Sequence, residues 1–373
     1  MTESVTAGTP RFDSLLIVRL SAMGDIIHTL PAVTMLRKAF PQARLGWLIE
    51  ERWAELLCTP HYPRSGGRSA ERPLVDCVHT VNIARWRRAL FSFTTWQEIT
   101  ARSKELREAQ YDVVIDFQGA IRSALLGRRS RARIVYGDAK PRENVASMFY
   151  TRRVRVQANG THVVEQAAEL AATVAAEIAA TGVAPAPLAN VEVEFPIDPD
   201  AEKKIAGFVT NVNDFAILNP GAGWGAKRWP AERYGQVAKE LAKDGMRSLI
   251  NYGPGEEELA VAVETASGRA ARRISCTISE LIALTRRARL LVGGDTGPMH
   301  LAAALKIPVV AIFGPTNPAR NGPFGTRSIV LRSASSLTDH TRHREPEQGL
   351  LEITVDEVVA ASRKLLQDSY CKT

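Results

Sequence analysis

The chain has 373 residues, of which 45% are hydrophobic and 24% charged, a composition that excludes global disorder and favours two packed domains. The net charge of +8 favours anionic partners such as nucleotide phosphates, phosphorylated lipids or a membrane surface, although it can also serve only solubility. The four cysteines are far apart and form no Cys-x-x-Cys pair, which indicates neither a zinc site nor a disulfide framework.

The N-terminus does not have the pattern of a targeting segment. Residues 1–13 are polar and include an early acid, whereas a signal peptide has a basic start followed by an apolar run. No apolar run approaches the ~18–20 residues that cross a bilayer. These features predict a soluble, cytoplasmic protein that meets a membrane only at its surface.

The first half of the chain alternates short apolar strands with helices. Residues 14–20 predict a buried strand that ends in a glycine-containing turn and is followed by a helix up to Pro41. Further strands are predicted at 44–51, 75–82 and 111–119, with shorter ones after them. Helices are predicted over most of 95–109 and over 162–182, and residues 60–73 are predicted to be a loop. Strand, glycine turn and helix is the opening unit of a doubly wound fold.

The second half repeats this pattern after a proline-rich linker at 183–200. A strand at 215–223 runs into a glycine-rich turn, and strands and helices then alternate up to a final amphipathic helix at 354–368. Such alternation predicts an α/β fold with a parallel sheet in each half. The predicted domains are 14–185 and 200–353, two Rossmann-like doubly wound domains with an interdomain cleft. The final helix can pack back on the N-terminal domain.

The first candidate motif lies where the strand at 14–20 becomes a helix. Gly24 permits a tight turn and a close approach of the backbone. Asp25 falls near the helix N-terminus, where a carboxylate can act as general base for a substrate hydroxyl. The same position also suits a helix cap, because Asp is a preferred capping residue and the helix dipole favours it. The residues alone leave both roles open.

The second candidate is the glycine-rich loop at 219–230. Its G-x-G-x-G spacing is not the full dinucleotide-binding pattern, because the helix does not follow directly. Lys227 and Arg228 add positive charge beside backbone amides, a combination typical of phosphate binding. A solvated basic loop is the alternative.

The third candidate, residues 293–300, follows an apolar strand and opens an alanine-rich helix. Backbone amides near Gly297, together with the hydroxyl of Thr296, can bind a pyrophosphate. Asp295 would repel a phosphate that it faced, so a sugar hydroxyl or an adjacent backbone turn suits it better. His300 lies one turn into the helix, where a core role and a functional role are equally compatible.

Two weaker signals complete the set. The segment 251–258 combines a strand, a Pro-Gly turn and an acidic helix start, and one of its acids can hold a ribose diol or simply favour the helix dipole. Arginines surround Trp86 after a predicted strand, and the basic stretch 128–133 suits a solvated or membrane-facing surface. Aromatic residues do not alternate with these arginines, which argues against single-stranded nucleic acid as a partner.

Three segments, in this order and at these separations, resemble glycosyltransferase family 9, the ADP-heptose lipopolysaccharide heptosyltransferases. They are LLIVRLSAMGDIIHTLPA, NPGAGWGAKRWP and LVGGDTGPMHLAAALKIPVVAIFGPTNP. The resemblance covers residues 14 to about 366. The opening segment, with the RWRR cluster at 85–88, DFQGAIRSA and SMFYTRR, is most similar to the heptosyltransferase I branch, which adds the first heptose to Kdo.

The resemblance implies the GT-B architecture and an inverting, metal-independent transfer of heptose from ADP-L-glycero-D-manno-heptose. The implied acceptor is the Kdo region of lipid A-linked lipopolysaccharide, and no cofactor is implied. Asp25 matches the catalytic base, and Lys227 matches the lysine at the donor pyrophosphate. The other positions assigned to the donor are Met23, Gly24, Glu258, Asp295, Thr296, Gly297 and His300. The positions assigned to the acceptor are Arg85, Arg88, Gln118, Arg122 and Arg142.

The implied location is the cytoplasmic face of the inner membrane, as a peripheral protein without a nucleic-acid partner. Two rival functions are compatible with the residues: a GT-B enzyme of another specificity, such as an epimerase or a transferase with another donor, and a non-catalytic module that binds anionic surfaces. The loop at 60–73 resembles an insertion relative to the family pattern, and the segment 335–348 matches no family motif.

Overall fold

The computed structural model describes residues 12–157, 161–179, 188, 191–210, 214–339, 341 and 343–370. The chain forms two compact units. The first unit comprises Met1–Ser21, Thr29–Asn159 and Val164–Glu194, and the second comprises Ala22–His28, Gly160–Val163 and Phe195–Thr373. None of the helices in the described part of the chain is long and apolar enough to cross a membrane.

Each unit contains a six-stranded parallel sheet. The strands of the first sheet are β1 (Ser14–Val18), β2 (Arg44–Glu50), β3 (Cys77–Val81), β4 (Val113–Asp116), β5 (Ile134–Asp138) and β6 (Arg152–Val154). Those of the second sheet are β7 (Phe215–Asn219), β8 (Arg247–Tyr252), β9 (Ala271–Ser275), β10 (Leu290–Gly294), β11 (Val309–Phe313) and β12 (Ser328–Arg332). The inner strands β1, β4, β7 and β10 are buried along their whole length, as expected for parallel strands covered on both faces.

Helices connect the strands. In the first half they are α1 (Met23–Ala39), α2 (Ile83–Arg88), α3 (Phe93–Glu108), α4 (Ile121–Arg129) and α5 (Val163–Ile178). In the second half they are α6 (Pro199–Val209), α7 (Ala231–Lys243), α8 (Glu257–Ala266), α9 (Ile278–Arg287), α10 (Gly297–Ala304), α11 (Pro318–Asn321), α12 (Gln348–Glu352) and α13 (Val355–Tyr370). Local sequence explains some of their starts: Thr277 and Glu280 cap each other's backbone at α9, and Asp198 accepts two amides at α6.

Both sheets have the same doubly wound order. The first reads β3-β2-β1-β4-β5-β6, and the second reads β9-β8-β7-β10-β11-β12. The direction of winding reverses between β1 and β4, and again between β7 and β10. Ligands of open α/β sheets bind beyond the carboxyl ends of the strands at this switch point. The segments that follow these four strands carry Asp25, Gln118, Lys227 and Asp295.

The predicted strands and the loop at 60–73 are confirmed, but several short elements were missed. The strand prediction was accurate to within a few residues, and residues 60–73 contain only isolated bridges. The missed elements are α2, α4, α6, α11, α12 and β12. The helix predicted at 162–182 is described up to Ile178, and its predicted end at Gly182 lies outside the described residues. Of the predicted linker at 183–200, residues 183–187, 189 and 190 also lie outside the described residues.

The final helix, α13, packs within the second unit. Its Val358, Val359 and Leu365 belong to the hydrophobic core beside the second sheet. Arg363 also donates to Asp244, just after α7, at 2.7 Å. The apolar face of α13 is buried there, and the suggested return of this helix to the N-terminal domain stays a prediction.

The predicted domain boundary also needs a correction at α1. Residues 14–185 were predicted as one domain, but Ala22–His28 belong to the second compact unit. The physical reason is packing: Gly24 and His28 of this segment both lie against His300 of α10. The chain therefore contributes two short segments of its first half, Ala22–His28 and Gly160–Val163, to the second unit.

Two helical glycines provide a matched test of how closely α7 packs on α8. A Cβ on Gly235 of α7 would lie 2.6 Å from Ala266 Cβ, whereas a Cβ on Gly207 of α6 would meet no atom within 4 Å. We expect Gly235→Ala to lower the free energy of unfolding by about 1–3 kcal/mol, because α7 must move away from α8. Gly207→Ala should raise it by about 0.5–1 kcal/mol, because alanine is the better helix former. Urea unfolding measures both, and equal effects would contradict the tight α7–α8 contact.

Candidate active site

Two buried asparagines join the glycine motifs of the second sheet. Asn219, at the end of β7, donates from Nδ2 to the carbonyl oxygen of Gly221 and to Thr296 Oγ1, both at 3.2 Å. Asn251 of β8 donates from Nδ2 to Asn219 Oδ1 at 2.7 Å. Because both asparagines are buried, these bonds satisfy their polar groups and fix the loops after β7 and β10 relative to each other.

An acid lies directly against the glycine loop. A Cβ on Gly221 would lie 2.2 Å from a carboxylate oxygen of Glu256, so a larger residue there would displace this side chain. Glu256 also accepts the N–H of Gly253 at 2.9 Å. Glu258, the acid chosen by resemblance, is exposed in the first turn of α8. The ribose contact of Glu258 stays a prediction, and Glu256 is the acid that the structure brings to the loop.

The segment 335–348, which matched no motif, packs its backbone on the same loop. A Cβ on Gly225 would lie 1.5 Å from the carbonyl oxygen of Arg344. The N–H of Ala226 donates to the carbonyl oxygen of His343 at 3.1 Å. The last glycine of the loop is therefore required by the close approach of another backbone segment.

A chain of side-chain contacts runs from the glycine loop to α1. Lys227 Nζ lies 2.6 Å from Asp295 Oδ2, and His300 Nε2 lies 3.1 Å from Asp295 Oδ1. The carboxylate can only accept, so Nε2 of His300 donates this hydrogen bond. His300 Nδ1 in turn lies 3.0 Å from Nε2 of His28 on α1. The prediction left His300 open between a core and a functional role, and the residue is buried within this polar chain.

Asp295 is ionised despite its burial. Burial alone would raise its pKa, but the hydrogen bond and charge of His300 and the ammonium of Lys227 hold the pKa of Asp295 well below its ordinary value near 3.8. The sequence predicted that Asp295 would face a sugar hydroxyl or an adjacent backbone turn. Its observed partners are instead two side chains, those of Lys227 and His300. Lys227 Nζ also donates to the backbone carbonyl oxygen of Asp295 at 3.4 Å, which leaves one of its three N–H groups for an anion.

Two glycines allow α1 to approach the loop after β10. A Cβ on Gly24 would lie 2.6 Å from His300 Cδ2, and a Cβ on Gly297 would lie 2.5 Å from Met23 Sδ. Gly24 is not in the left-handed region and is the second residue of α1. The predicted tight turn at Gly24 is therefore wrong, and the predicted close approach of the backbone is the reason for glycine there.

Asp25 lies in the first turn of α1 and is partly exposed. Its Oδ2 accepts the N–H of Ala22 at 3.1 Å, which is a capping contact. A carboxylate offers two oxygens and about four acceptor sites, so this contact leaves the chemistry of a base possible in the same side chain. Asp25, Met23 and Gly24 thus share the second unit with Lys227, Asp295 and His300.

Thr296 forms the N-cap position of α10, but its hydroxyl does not cap the helix. The hydroxyl donates to the carbonyl oxygen of Gly294 at 3.3 Å and accepts from Asn219. The first amides of α10, beginning at Gly297, therefore rely on partners other than Thr296. A helix N-terminus of this kind favours an anion.

In the first unit, Gln118 joins the two loops at the switch point. Its Oε1 accepts the N–H groups of Leu20 at 2.8 Å and Ser21 at 3.2 Å. The side chain is buried, so its carbonyl orders the turn that leads into α1. Contact of Gln118 with an acceptor stays a prediction.

Asp116, which the sequence reading did not select, holds the next turn. It accepts from Ser123 Oγ and Tyr150 Oη, both at 2.9 Å, and from the N–H of Gln118 at 2.8 Å. Burial raises the pKa of Asp116, and these hydrogen bonds oppose that rise. The role of Asp116 is to hold the loop that carries Gln118.

The predicted acceptor arginines all follow strands of the first sheet. Arg85 and Arg88 lie on α2 after β3, Arg122 lies in the first turn of α4 after β4, and exposed Arg142 follows β5. Three strand spacings separate β3 from β4, which is about 14 Å along the sheet edge. The arginines therefore share the carboxyl edge of the sheet without forming one cluster, and their acceptor role stays a prediction.

The sequence reading missed several residues of the site, and only some left a signal. His28 lies one turn after Asp25 on α1, so helical spacing could have selected it. The backbone of Arg344 gave no signal, because it is 119 residues from Gly225 and meets it only through tertiary packing. Among the described residues, no group of three or more His, Cys, Asp or Glu side chains is arranged to hold a metal ion.

Comparisons with known proteins agree on one family for this chain. The profile of Glycosyltransferase family 9 (heptosyltransferase) matches residues 99–350. The chain is 30% identical over 322 residues to lipopolysaccharide heptosyltransferase 1 of Escherichia coli strain K12, a match that covers 86% of this chain and 93% of the relative. It is 31% identical over 331 residues to lipopolysaccharide heptosyltransferase 1 of Pseudomonas aeruginosa, covering 86% of this chain and 83% of the relative.

Solved structures agree. The structure of E. coli heptosyltransferase WaaC with ADP is similar at a TM-score of 0.74 and 27% identity, covering 94% of this chain and 99% of that one. The structure of WaaC with ADP-2-deoxy-2-fluoro heptose is similar at a TM-score of 0.72 and 27% identity, covering 95% and 99%. These similarities confirm the predicted resemblance and the predicted GT-B type of fold with two Rossmann-like domains.

The contacts of Asp295 predict a large and pH-dependent effect on stability. We expect Asp295→Asn to lower the free energy of unfolding at pH 7 by about 3 kcal/mol, because Lys227 and His300 lose a buried ionised partner. The folded pKa is depressed, so this stabilisation is present above the ordinary value near 3.8 and is lost as pH falls towards the folded pKa. The deficit of the variant should therefore shrink below pH 3.8.

Urea unfolding at pH 7 and pH 3 measures this difference. Asp244→Asn is the control, because Asp244 pairs with Arg363 at the surface and should contribute less than about 1 kcal/mol. A deficit for Asp295→Asn that is no larger than that of the control would contradict the buried ion pair.

Proposed function

Because the chain belongs to glycosyltransferase family 9, we propose that it transfers heptose from ADP-L-glycero-D-manno-heptose to the Kdo region of lipid A-linked lipopolysaccharide. The transfer inverts the anomeric carbon and uses neither a metal nor a cofactor. The protein works at the cytoplasmic face of the inner membrane, as a peripheral protein whose acceptor is embedded in the bilayer.

One observation carries the proposal: the first turn of α1, with Asp25, packs on the same buried polar chain that holds Lys227. Gly24 leaves no room for a Cβ beside His300, and His300 is bonded to Asp295, which pairs with Lys227. A base and a cation for a diphosphate are thus connected by rigid contacts within one compact unit. Transfer from a nucleotide-sugar needs these two groups.

The donor diphosphate is bound by groups that hold anions well. Lys227 supplies an ammonium, the loop after β7 supplies glycine amides, and the N-terminus of α10 supplies the positive end of a helix dipole. Similarity to WaaC structures with ADP and with an ADP-heptose analogue supports the choice of nucleotide. Glu256, beside Gly221, is the favoured acid for the ribose hydroxyls.

The proposed reaction is a single displacement. Asp25 takes the proton from an acceptor hydroxyl while that oxygen bonds to the anomeric carbon of the heptose. The bond between this carbon and the ADP oxygen breaks on the opposite face, and ADP leaves with its electron pair. Lys227 stabilises the negative charge that grows on the diphosphate, which is where binding lowers the barrier.

The acceptor is anionic, and the arginines of the first unit complement it. Arg85, Arg88, Arg122 and Arg142 follow three different strands at one edge of the sheet. A Kdo sugar carries a carboxylate and lipid A carries phosphates, and guanidinium groups bind both in a bidentate manner. The spread of about 14 Å between β3 and β4 suits an extended saccharide more than a small substrate.

Replacement of Asp25 separates the cap from the base. Asp25→Asn keeps an oxygen that can accept the N–H of Ala22 but cannot take a proton. We expect kcat to fall by about 10²–10⁴-fold, while ADP affinity and unfolding stability stay at the wild-type level. ADP release with ADP-heptose and a Kdo-lipid A acceptor measures turnover, and calorimetry measures ADP binding. Near-normal turnover would leave Asp25 with its capping role alone.

Replacement of Lys227 tests the donor contact. Lys227→Met should lower kcat/KM by about 10²-fold or more, because one charged donor to the leaving diphosphate is lost. Lys243→Met is the matched control, since its side chain is 66% exposed and pairs with Glu240 one turn away on the surface of α7. If both variants kept wild-type kinetics, Lys227 would have no role at the donor.

A further inference from the structure

The segment between α2 and the first turn of α3 exposes an unusual run of apolar side chains. Leu90, Phe91, Phe93 and Trp96 are 50%, 102%, 75% and 53% exposed. A single exposed apolar residue is ordinary in a folded protein, but three aromatic rings and a leucine within seven residues form a contiguous patch. Such a patch indicates a binding surface that is covered in the working protein.

This segment is anchored on both sides. Trp86 of α2 is buried in the core of the first unit, and its Nε1 donates to Glu98 of α3 at 3.1 Å. Arg85 pairs with the same glutamate at 3.0 Å. The exposed rings therefore lie on α3 and on the turn between α2 and α3, and this pair of helices is fixed to the core through Trp86.

Charge beside the patch is positive. Arg85, Arg87 and Arg88 are exposed and directly precede it, and Glu98 is the only acid between residues 83 and 98. Aromatic rings beside basic side chains match the interfacial region of an anionic bilayer, where rings lie at the headgroup level and arginines meet phosphates.

Two neighbouring elements of the first unit also carry exposed apolar side chains. The helix α3 contacts α4, and α4 contacts the 3-10 turn Asn144–Phe149. Leu125 of α4 is 42% exposed, and Met148 of the turn is 74% exposed. The segments that carry Arg88, Arg122 and Arg142 follow the same edge of the first sheet.

We propose that residues 90–96 insert their aromatic side chains into the headgroup region of an anionic bilayer, with Arg87 and Arg88 on the lipid phosphates. This inference rests on the proposed function in one respect, because a lipid-linked acceptor lies in the same bilayer. Insertion would hold the carboxyl edge of the first sheet against the membrane surface where that acceptor projects.

The test is sedimentation of the full chain with vesicles of 30% phosphatidylglycerol and 70% phosphatidylcholine. The wild type should bind these vesicles and should bind pure phosphatidylcholine much more weakly. Phe91→Ser with Phe93→Ser should lower the partition coefficient by about tenfold or more, because two interfacial rings are lost. Arg87→Gln should lower it by about fivefold, and less at high salt.

The control removes two exposed apolar side chains elsewhere, Ile197 and Leu337, which are 46% and 76% exposed in the second unit. Ile197→Ser with Leu337→Ser should leave vesicle binding unchanged. Equal loss in both double variants would overturn the proposal. So would a wild type that binds no vesicles, or a wild-type dimer that Phe91→Ser with Phe93→Ser converts to a monomer without change in vesicle binding.

Turnover separates this inference from the proposed function. With a deacylated, water-soluble Kdo acceptor, Phe91→Ser with Phe93→Ser should transfer heptose at the wild-type rate. Vesicle binding that depends on Phe91 and Phe93 in a protein without transferase activity would keep the surface and refute the function. Normal heptose transfer by a protein that does not bind vesicles would support the proposed function and refute the membrane-binding surface.

Discussion

The buried carboxylate of Asp295 is the interaction on which the candidate site depends. It accepts from the ammonium of Lys227 at 2.6 Å and from the imidazole of His300 at 3.1 Å, and its pKa is held well below the ordinary value. A buried charge without partners would be strongly unfavourable. Burial of the Asp295 carboxylate therefore holds the side chains of Lys227 and His300 in their observed positions. Lys227 is thereby held against the loop after β10, and the ring of His300 is fixed in the position where Gly24 packs on it.

The fold explains why these groups meet. Both sheets have the same strand order, and the direction of winding reverses between β1 and β4 in the first sheet and between β7 and β10 in the second. The two loops at the second switch point carry Lys227 and Asp295, and Asn219 and Asn251 tie the ends of β7, β8 and β10 together. The first turn of α1 joins this unit through close glycine contacts, so the capping carboxylate of Asp25 is positioned by the same packing. Because Gly24 lies against His300 and Gly297 lies against Met23, a larger side chain at either glycine would displace the turn that carries Asp25.

Much of this could be predicted from sequence, and the reason is local. Strands with continuous apolar runs, and glycine motifs directly after them, place Asp25, Lys227, Asp295 and His300 at strand ends without knowledge of tertiary contacts. The basic helices α2 and α4 were missed because they have only six and nine residues, which is too short for a helical period to be recognised in the sequence. The contact of Glu256 with Gly221 and that of Arg344 with Gly225 depend on segments far apart in the chain, and no local pattern encodes them. The exposed rings at 90–96 were likewise not distinguishable from core residues until their burial was known.

The central claim is that the second unit binds an ADP-sugar and that the sugar leaves it only for an acceptor hydroxyl. The most direct measurement is the rate of ADP release by the wild-type protein with ADP-heptose, in the presence and absence of Kdo-lipid A. Release that requires the acceptor, with a product heavier than the acceptor by one heptose residue, is the result expected from the contacts of Asp25 and Lys227. Tight ADP binding without acceptor-dependent release would keep the nucleotide site and contradict heptose transfer to this acceptor.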